Sequence, residues 1–401
     1  MRPVENACKW FSDMPRPAVI LARGLALVGC GADAGSSTRG EQELVAKAKP
    51  IASGDFTLKL DRTFIRSTQP AISSQAFALK WDASRESSVL FMRSYPAAYH
   101  ADLFQIAPAK IIGREGLCFG DPHPDNFGFI RIGGRTKFVF NDLDDSGYCP
   151  VALDAARYFA ILRLYFDDSA LTKDVLEQYV DTVKDLSRAQ EIDGALVPDW
   201  DQVAKDELAQ SVANGKLVLG GEVSAASSSE RAAVVSLVQT DWRLAGATVL
   251  DVAKVTRVSG GSGGLRRFWV LVSRSGRQTI LELKEAATPA VDFGRQTRWL
   301  GMDQRLAVLK TALWSTTVQD DYFYVQVLGA RFLVRNRLAK KSIDLVAMSS
   351  KDREDVLRAQ ASVMARLHAP RWSGVEKDEI RSWLYDSSKV IADRWDRASR
   401  D

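Results

Sequence analysis

Cysteine and histidine are scarce, with four of the first and three of the second in 401 residues. Cys8, Cys30, Cys118 and Cys149 contain no CxxC pair, so no structural zinc site is expected. Four cysteines in a chain of this length do not make a disulfide scaffold either. No apolar run reaches about 18 residues, which excludes a polytopic membrane protein. Charge of one sign is also missing. The 54 basic and 50 acidic residues leave +4, which calls for neither nucleic acid nor an acidic membrane. Aromatics are not interleaved with a basic stripe, so no nucleic-acid partner is expected. What is present is 46% apolar and 26% charged residues, the composition of a folded chain. The length suits about two or three compact units.

Residues 1–50 read as a leader. The segment Pro17–Gly29 is apolar apart from Arg23 and runs through Leu27-Val28-Gly29 into Cys30 and a small polar tail. This resembles a bacterial lipoprotein cleavage box, with Cys30 as the residue to be lipidated. Arg23 interrupts the apolar stretch, and Glu5 and Asp13 sit where positive charge is expected, so Met14 is an alternative start. A disordered leader with a chance match is the other reading. The two leave a membrane-anchored lipoprotein and a cytoplasmic protein equally open. Residues 31–50 read as linker.

Beyond the leader, three regions are expected. Residues 51–249 form a largely helical lobe that includes a turn-rich β block from Ile106 to Tyr148 and a helix over 154–188. Residues 190–225 read as irregular, and Ser227-x-x-Glu230 is a capping box before an apolar helix. Residues 250–345 form a β-rich lobe with a helix over 295–315 and a β stretch Tyr322–Leu338. Residues 346–401 hold two helices, near 351–368 and 377–398, which pack on the helical lobe.

The first group of chemistry-bearing residues lies in Gly120-Asp121-Pro122-His123-Pro124-Asp125-Asn126, followed by two β runs around Gly133-Gly134 and then Asn141-Asp142. A Gly-Gly pair between β runs signals a hairpin. With the turn centred there, Asn126 lies opposite Asn141 and beside Asp142. One hairpin then presents an amide oxygen and a carboxylate to one point, which suits magnesium. Asp144 is a further candidate acid, and Asp121 sits on the preceding loop, free to meet a hydroxyl. His123 either touches phosphate or braces the loop, the second being favoured. His100 and His368 read as structural, and Trp10 and Trp269 as packing. Arg93 and Arg335 either bind phosphate or close salt bridges.

The second group is the glycine-rich run Val258–Gly264, with Gly261, Ser262, Gly263 and Gly264, followed one hairpin later by Lys284. Glycines let backbone N–H groups approach phosphate, and a strand lysine can reach the same phosphates. No GK[ST] follows the glycines, so this is not a Walker loop.

GDPHPDN resembles the HGDxHPxN catalytic loop of aminoglycoside and choline phosphotransferases, which have a protein-kinase-like fold. Asn141-Asp142-Leu143-Asp144-Asp145-Ser146-Gly147 resembles the metal-binding stretch that follows it there, and Asp154 matches an aspartate of that family's DLA segment. The resemblance implies Asp121 as catalytic base, Asn126 and Asp142 as magnesium ligands, and Asp154 as a brace for the loop. Phe119 replaces the loop's first histidine and Asp125 a common glycine. The glycine run and Lys284 are similar to a kinase's glycine loop and strand lysine. The helix that should supply that lysine's glutamate has none, and Asp303 is a weak substitute.

In ordinary kinases the glycine loop precedes the catalytic loop, whereas here it follows. The expected class is therefore α+β, a two-lobed protein-kinase-like (aminoglycoside-phosphotransferase-like) fold with permuted element order. This order resembles a bacterial family of uncharacterised proteins, domain of unknown function 2252. The shared motifs are Phe91-Met92-Arg93, GDPHPDNFG, NDLD, Gly261-Ser262-Gly263-Gly264, Leu281–Ala286, Val334–Leu338 and Leu367-His368-Ala369. The implied activity is magnesium-dependent phosphoryl transfer from ATP to an unknown small-molecule or protein acceptor, with nucleotidyl transfer as a variant. The rival is a non-catalytic, membrane-tethered pseudokinase, favoured by the leader and the missing glutamate.

Overall fold

A computed structural model describes residues 49–104, 106, 114–293, 300–316 and 322–401. Cys30 and the leader lie outside the described residues. Side-chain caps start the first helices. Asp61, Ser73 and Ser87 each accept a backbone N–H in the first turn of α1 (Arg62–Ser67), α2 (Ser74–Ser84) and α3 (Ser88–Ser94). Pro96 opens α4 (Pro96–Leu103), where its missing N–H costs nothing.

Strand β1 (Glu115–Cys118) leads through a loop to the hairpin of β2 (Phe127–Ile132) and β3 (Arg135–Phe140). Gly133 and Gly134 both take positive φ, 56° and 74°, as a tight hairpin turn demands. Ile132 therefore faces Arg135, and Phe127 faces Phe140. The Asn141 N–H donates to the Asn126 carbonyl at 2.8 Å, so the register read from the Gly-Gly pair holds. β4 (Gly147–Pro150) returns to pair antiparallel with β1.

A disulfide joins β1 to β4 through Cys118 and Cys149, with Cα atoms 5.8 Å apart; the sequence reading did not pair them. Its 31-residue separation gives a loop-closure stabilisation of about 3–4 kcal/mol. Reduction should lower the denaturation midpoint accordingly in parallel melts with and without a phosphine, and identical melts would contradict the pairing.

The helix read over 154–188 is two helices, α5 (Val151–Phe166) and α6 (Ser169–Lys184). The break is Asp167 in left-handed geometry at φ 47°, and Asp168 caps the restart. The stretch read as irregular contains α7 (Trp200–Ser211), capped by Asp199. Only Trp200 and Ser211 of α7 are buried, so it carries almost no apolar stripe.

Next come β5 (Val212–Ala213), β6 (Lys216–Leu217), β7 (Val223–Ala225) and α8 (Ser228–Thr240), which opens on the Ser227–Glu230 capping box. β8 (Ala247–Val255), β9 (Arg267–Arg274) and β10 (Arg277–Glu285) precede α9 (Met302–Trp314). After it come β11 (Tyr322–Val327), β12 (Ala330–Asn336), β13 (Lys340–Ser342), α10 (Ser350–His368) and α11 (Lys377–Arg400).

The fold is mixed α/β with several sheets. The largest is antiparallel, in the order β11-β12-β10-β9-β8-β7. Its core comprises Phe268, Val270, Leu281, Leu283 and Phe332 with Val234 and Val238 of α8. The sheet body therefore begins upstream of the boundary expected at 250. A second core gathers the helices and the β2–β3 hairpin around Phe91, Tyr99, Phe119, Phe140, Tyr158 and Trp383. In it α10 packs on α6, and α11 on α5. β13 leaves the large sheet and pairs with β2, so backbone hydrogen bonds tie the sheet body to the hairpin. Among the described residues no helix is long and apolar enough to cross a membrane.

Candidate active site

The loop from Phe119 to Asn126 is held from beneath by α5. Fully buried Asp154 accepts the N–H groups of Phe119 (2.8 Å) and Gly120 (2.9 Å). His368 Nε2 lies 3.2 Å from the same carboxylate, and its Nδ1 lies 2.9 Å from the Tyr179 hydroxyl. Trp372 Nε1 donates to that hydroxyl at 2.8 Å. His100 Nε2 lies 2.7 Å from the Gly120 carbonyl. Gly120 takes φ +78°, and a Cβ there would fall 1.9 Å from the Asp145 carbonyl oxygen. Only glycine allows this close approach, which seats the loop on the segment that carries Asp142 and Asp144.

Asp121 is oriented by Arg157, one turn after Asp154 on α5. Arg157 Nε and Nη2 donate to Asp121 Oδ1 at 3.1 and 2.6 Å. Both side chains are buried. This leaves Oδ2 turned toward the glycine loop, where a Cβ on Gly261 would sit 3.7 Å away. His123 Nε2 is 3.7 Å from Oδ2, beyond hydrogen-bond range, and its Nδ1 has no partner among the described residues. Burial, reinforced by Arg93 and Arg157, pushes the imidazole well below its usual range. His123 is thus a neutral buried ring. The loop's outer end is held instead by Gln360, which donates to the Pro124 carbonyl at 3.0 Å, and by Arg93, 2.6 Å from Asp125.

Lys284 projects from β10 onto two of the predicted acids. Its Nζ lies 2.7 Å from Asp144 and 3.5 Å from Asp142. Arg335 Nη1 lies 3.2 Å from the other oxygen of Asp142. Burial alone would raise the Asp142 carboxyl, but Lys284 and Arg335 outweigh it and hold it well below the usual range. Asp144 goes the other way. Burial and the neighbouring Asp142 carboxylate push it up to about 6. The weak helix substitute, Asp303, does not pair with Lys284. Asp303 is exposed and bonds Arg331 at 2.9 Å, and the lysine takes its partners from the Asp142–Asp144 loop.

The residues of this loop suit a magnesium ion. Asn126 spends its amide N–H on the Asp121 carbonyl at 3.0 Å, which leaves the amide oxygen for a cation. Asp142 and Asp144 supply two carboxylates, which Lys284 bridges in this structure. The Asn141 amide alongside is buried with neither polar atom paired among the described residues. An amide, two acids and room for phosphate oxygens and water are the hard donors magnesium takes. Cys118, Cys149 and Asp154 also lie close enough for metal binding, but the disulfide removes both thiolates.

Behind Lys284 lies a charge network that sequence reasoning missed. Glu282, two residues earlier on the same face of β10, meets Arg267 at 2.7 Å and Arg335 at 2.6 Å. Arg337 stands 3.8 Å away. Four cations (Lys284, Arg267, Arg335, Arg337) here face four carboxylates (Glu282, Asp142, Asp144 and Glu207, which bonds Arg337). Lys340 lies beside the network, its pKa pulled down to about 8 by burial and Arg335.

The glycine loop closes over this floor. Gly263 is required because a Cβ would stand 2.8 Å from the Val258 carbonyl oxygen, and Gly264 takes φ +85°. Arg267 Nη2 donates to Ser262 Oγ at 2.7 Å. Gly260 N–H donates to Ser94 Oγ at 3.0 Å. The N–H groups of Gly261 and Ser262 hold no hydrogen bond among the described residues, so two adjacent amides are open to an anion.

Lys80 of α2 reaches the same loop. Its Nζ donates to the Gly261 carbonyl at 2.8 Å and to Gln69 Oε1 at 2.9 Å, with the side chain fully buried. Burial lowers its pKa to about 7, against the opposing pull of Asp145 and Asp121. An unfolded lysine titrates near 10.4, so between pH 7 and about 10.4 the unfolded chain binds the extra proton and stability rises with pH. Below pH 7 the full penalty is present, on the order of 3–5 kcal/mol. Lys80→Met should therefore be more stable than the parent at pH 6, by a margin that shrinks at pH 9. Equal differences in melting at the two pH values would contradict this.

Two of these residues left a weak trace in the sequence. Arg157 follows Asp154 by one helical turn and so shares its face. Glu282 precedes Lys284 by two and shares its strand face. Lys80 left none, since nothing local shows that a lysine on an early helix meets a loop 181 residues later.

No curated protein and no solved structure matches the chain. A family model described as an uncharacterised protein conserved in bacteria, domain of unknown function 2252, matches residues 73–213 and 220–397. That is well over half of the sequence, and it includes the catalytic-type loop, the Asp142–Asp144 segment, the glycine loop and Lys284. The chain belongs to the family named domain of unknown function 2252.

Proposed function

We propose that the protein is a magnesium-dependent phosphotransferase that moves the terminal phosphoryl group of ATP to a hydroxyl acceptor, on a kinase-like two-lobed scaffold with permuted order. The observation that carries this reading is that Lys284 lies on Asp142 and Asp144 while the glycine loop covers Asp121. The run β8, glycine loop, β9, β10 with its lysine, α9 and two further strands supports it, because kinases place glycine loop, strand lysine and helix in that order. The catalytic-type loop precedes this run instead of following it, which is the permutation.

In this reading Asn126, Asp142 and Asp144 would hold magnesium, which neutralises charge on the phosphate oxygens when bound. Lys284 exchanges its carboxylate partners for phosphate, and the open amides of Gly261 and Ser262 cradle the same group. Arg157 fixes Asp121 so that Oδ2 accepts the acceptor hydroxyl's proton. The acceptor oxygen bonds to the terminal phosphorus as its bond to the bridging oxygen breaks, and ADP leaves. Catalysis rests mainly on positioning and charge.

One observation favours a second reading, a non-catalytic nucleotide or protein binder tethered to a membrane. The Cys118–Cys149 disulfide suits an oxidising compartment, as does the lipoprotein-like box at Cys30, and ATP is scarce there. Phosphoryl transfer from labelled ATP across a panel of hydroxyl acceptors separates the two. Transfer lost in Asp121→Asn supports the enzyme, and nucleotide binding with no transfer to any acceptor supports the binder.

A further inference from the structure

Four of the buried cations are matched by carboxylates. Arg157 has Asp121, Arg267 has Glu282, Lys284 has Asp144 and Arg305 has Asp292, each pair at 2.6–2.7 Å. Lys80 differs from these four. It is as buried as they are, yet its hydrogen-bond partners are a peptide carbonyl and a carboxamide, and no carboxylate of the described residues lies at ion-pair distance. An ammonium taken from water without a counter-ion is strongly disfavoured. Such a residue persists where another requirement keeps it.

The position indicates the requirement. Lys80 grips the carbonyl of Gly261, the residue whose own N–H is open and which lies over Asp121 Oδ2. The charges that act on it are Asp145, Asp121 and Lys284, all at the same cleft. They come from the Asp142–Asp145 loop, the Phe119–Asn126 loop and β10. Lys80 of α2 thus sits on the glycine loop, and Lys284 of β10 on the Asp142–Asp144 loop of the same cleft.

We propose that Lys80 is a second phosphate-binding lysine of this cleft, whose missing counter-ion is the polyphosphate of the nucleotide. The inference rests on the nucleotide-site reading above and adds a residue from outside the glycine-loop and strand-lysine pattern. An ammonium has three donors, and Lys80 commits two of them to Gly261 and Gln69. The third has no acceptor oxygen among the described residues and faces only the Tyr95 ring, its centroid 5.3 Å from Nζ; this donor is the one assigned to a phosphate oxygen, with a charge-assisted bond. A phosphate partner also favours the protonated form, so binding above pH 7 draws a proton onto Lys80.

Calorimetric titration of the full-length protein at pH 8 tests this, with magnesium-ATP and with inorganic tripolyphosphate as probes, each in two buffers of different ionisation enthalpy. Lys80→Met should weaken both ligands about 10- to 100-fold and reduce the proton uptake. Lys80→Arg should recover much of the affinity, which a purely structural lysine would not require. Loss of affinity in Lys80→Met with a melt at or above the parent's excludes misfolding as the cause. Tight ATP binding unchanged in Lys80→Met would overturn the inference and leave the nucleotide site standing. Lys80-dependent binding of tripolyphosphate without binding of ATP would support the anion site and remove the nucleotide reading. No binding of either probe by the parent would overturn both.

Discussion

Asp154→Ala should cost about 3–5 kcal/mol of stability, the largest loss expected from any single change near the site. The carboxylate is fully buried and accepts two backbone N–H groups, those of Phe119 and Gly120, with His368 beside it. Alanine leaves both N–H groups buried and unpaired, and it strands the chain from His368 through Tyr179 to Trp372. The loss falls on the loop that positions Asp121, so ligand binding should weaken along with stability. Chemical denaturation of the parent and the variant measures the first effect. A midpoint unchanged within about 0.5 kcal/mol would show that Asp154 does not hold the loop. Asp154→Asn is the milder probe, keeping an acceptor oxygen for one N–H and turning a donor toward the other.

Asp121→Asn should reduce phosphoryl transfer by about two to four orders of magnitude, the range lost with a general base. Nucleotide affinity should change little, because Asp121 is held by Arg157 and has no ion pair or hydrogen bond to Lys284, Asp142 or Asp144. Arg157 keeps a carbonyl oxygen to bond in the variant, so folding should survive. Transfer rates and nucleotide affinity measured on the same preparation separate the outcomes. Equal loss of both would assign Asp121 to binding instead of proton transfer, and full activity would remove it from the chemistry.

Local signals in the sequence carried the hairpin and the caps. Gly133-Gly134 set the register that puts Asn126 beside Asn141, because two positive-φ residues admit few turns. Ser227 and Glu230 announced α8 by a reciprocal pair of hydrogen bonds. Both groups of site residues were named from motif and spacing, and they meet in one cleft. Long-range partners were less legible. The acids opposite Lys284 come from a loop 140 and 142 residues away in sequence, so inspection of the adjacent helix pointed to Asp303, which is exposed on Arg331. The Cys118–Cys149 bridge was hidden for the same reason, since spacing alone does not reveal that β1 and β4 pair. α7 was missed because a helix that buries only its two ends writes no apolar period.

The nucleotide site is the central claim, and a melting experiment tests it most directly. The full-length protein would be melted with and without millimolar ATP, each with and without magnesium, beside Asp142→Asn. Ligand present at a hundred times its dissociation constant adds about 2.7 kcal/mol, a rise of several degrees for a chain of this size. A magnesium-dependent rise in the parent that is lost in Asp142→Asn is the expected result. No rise in the parent at millimolar ATP with magnesium would contradict it.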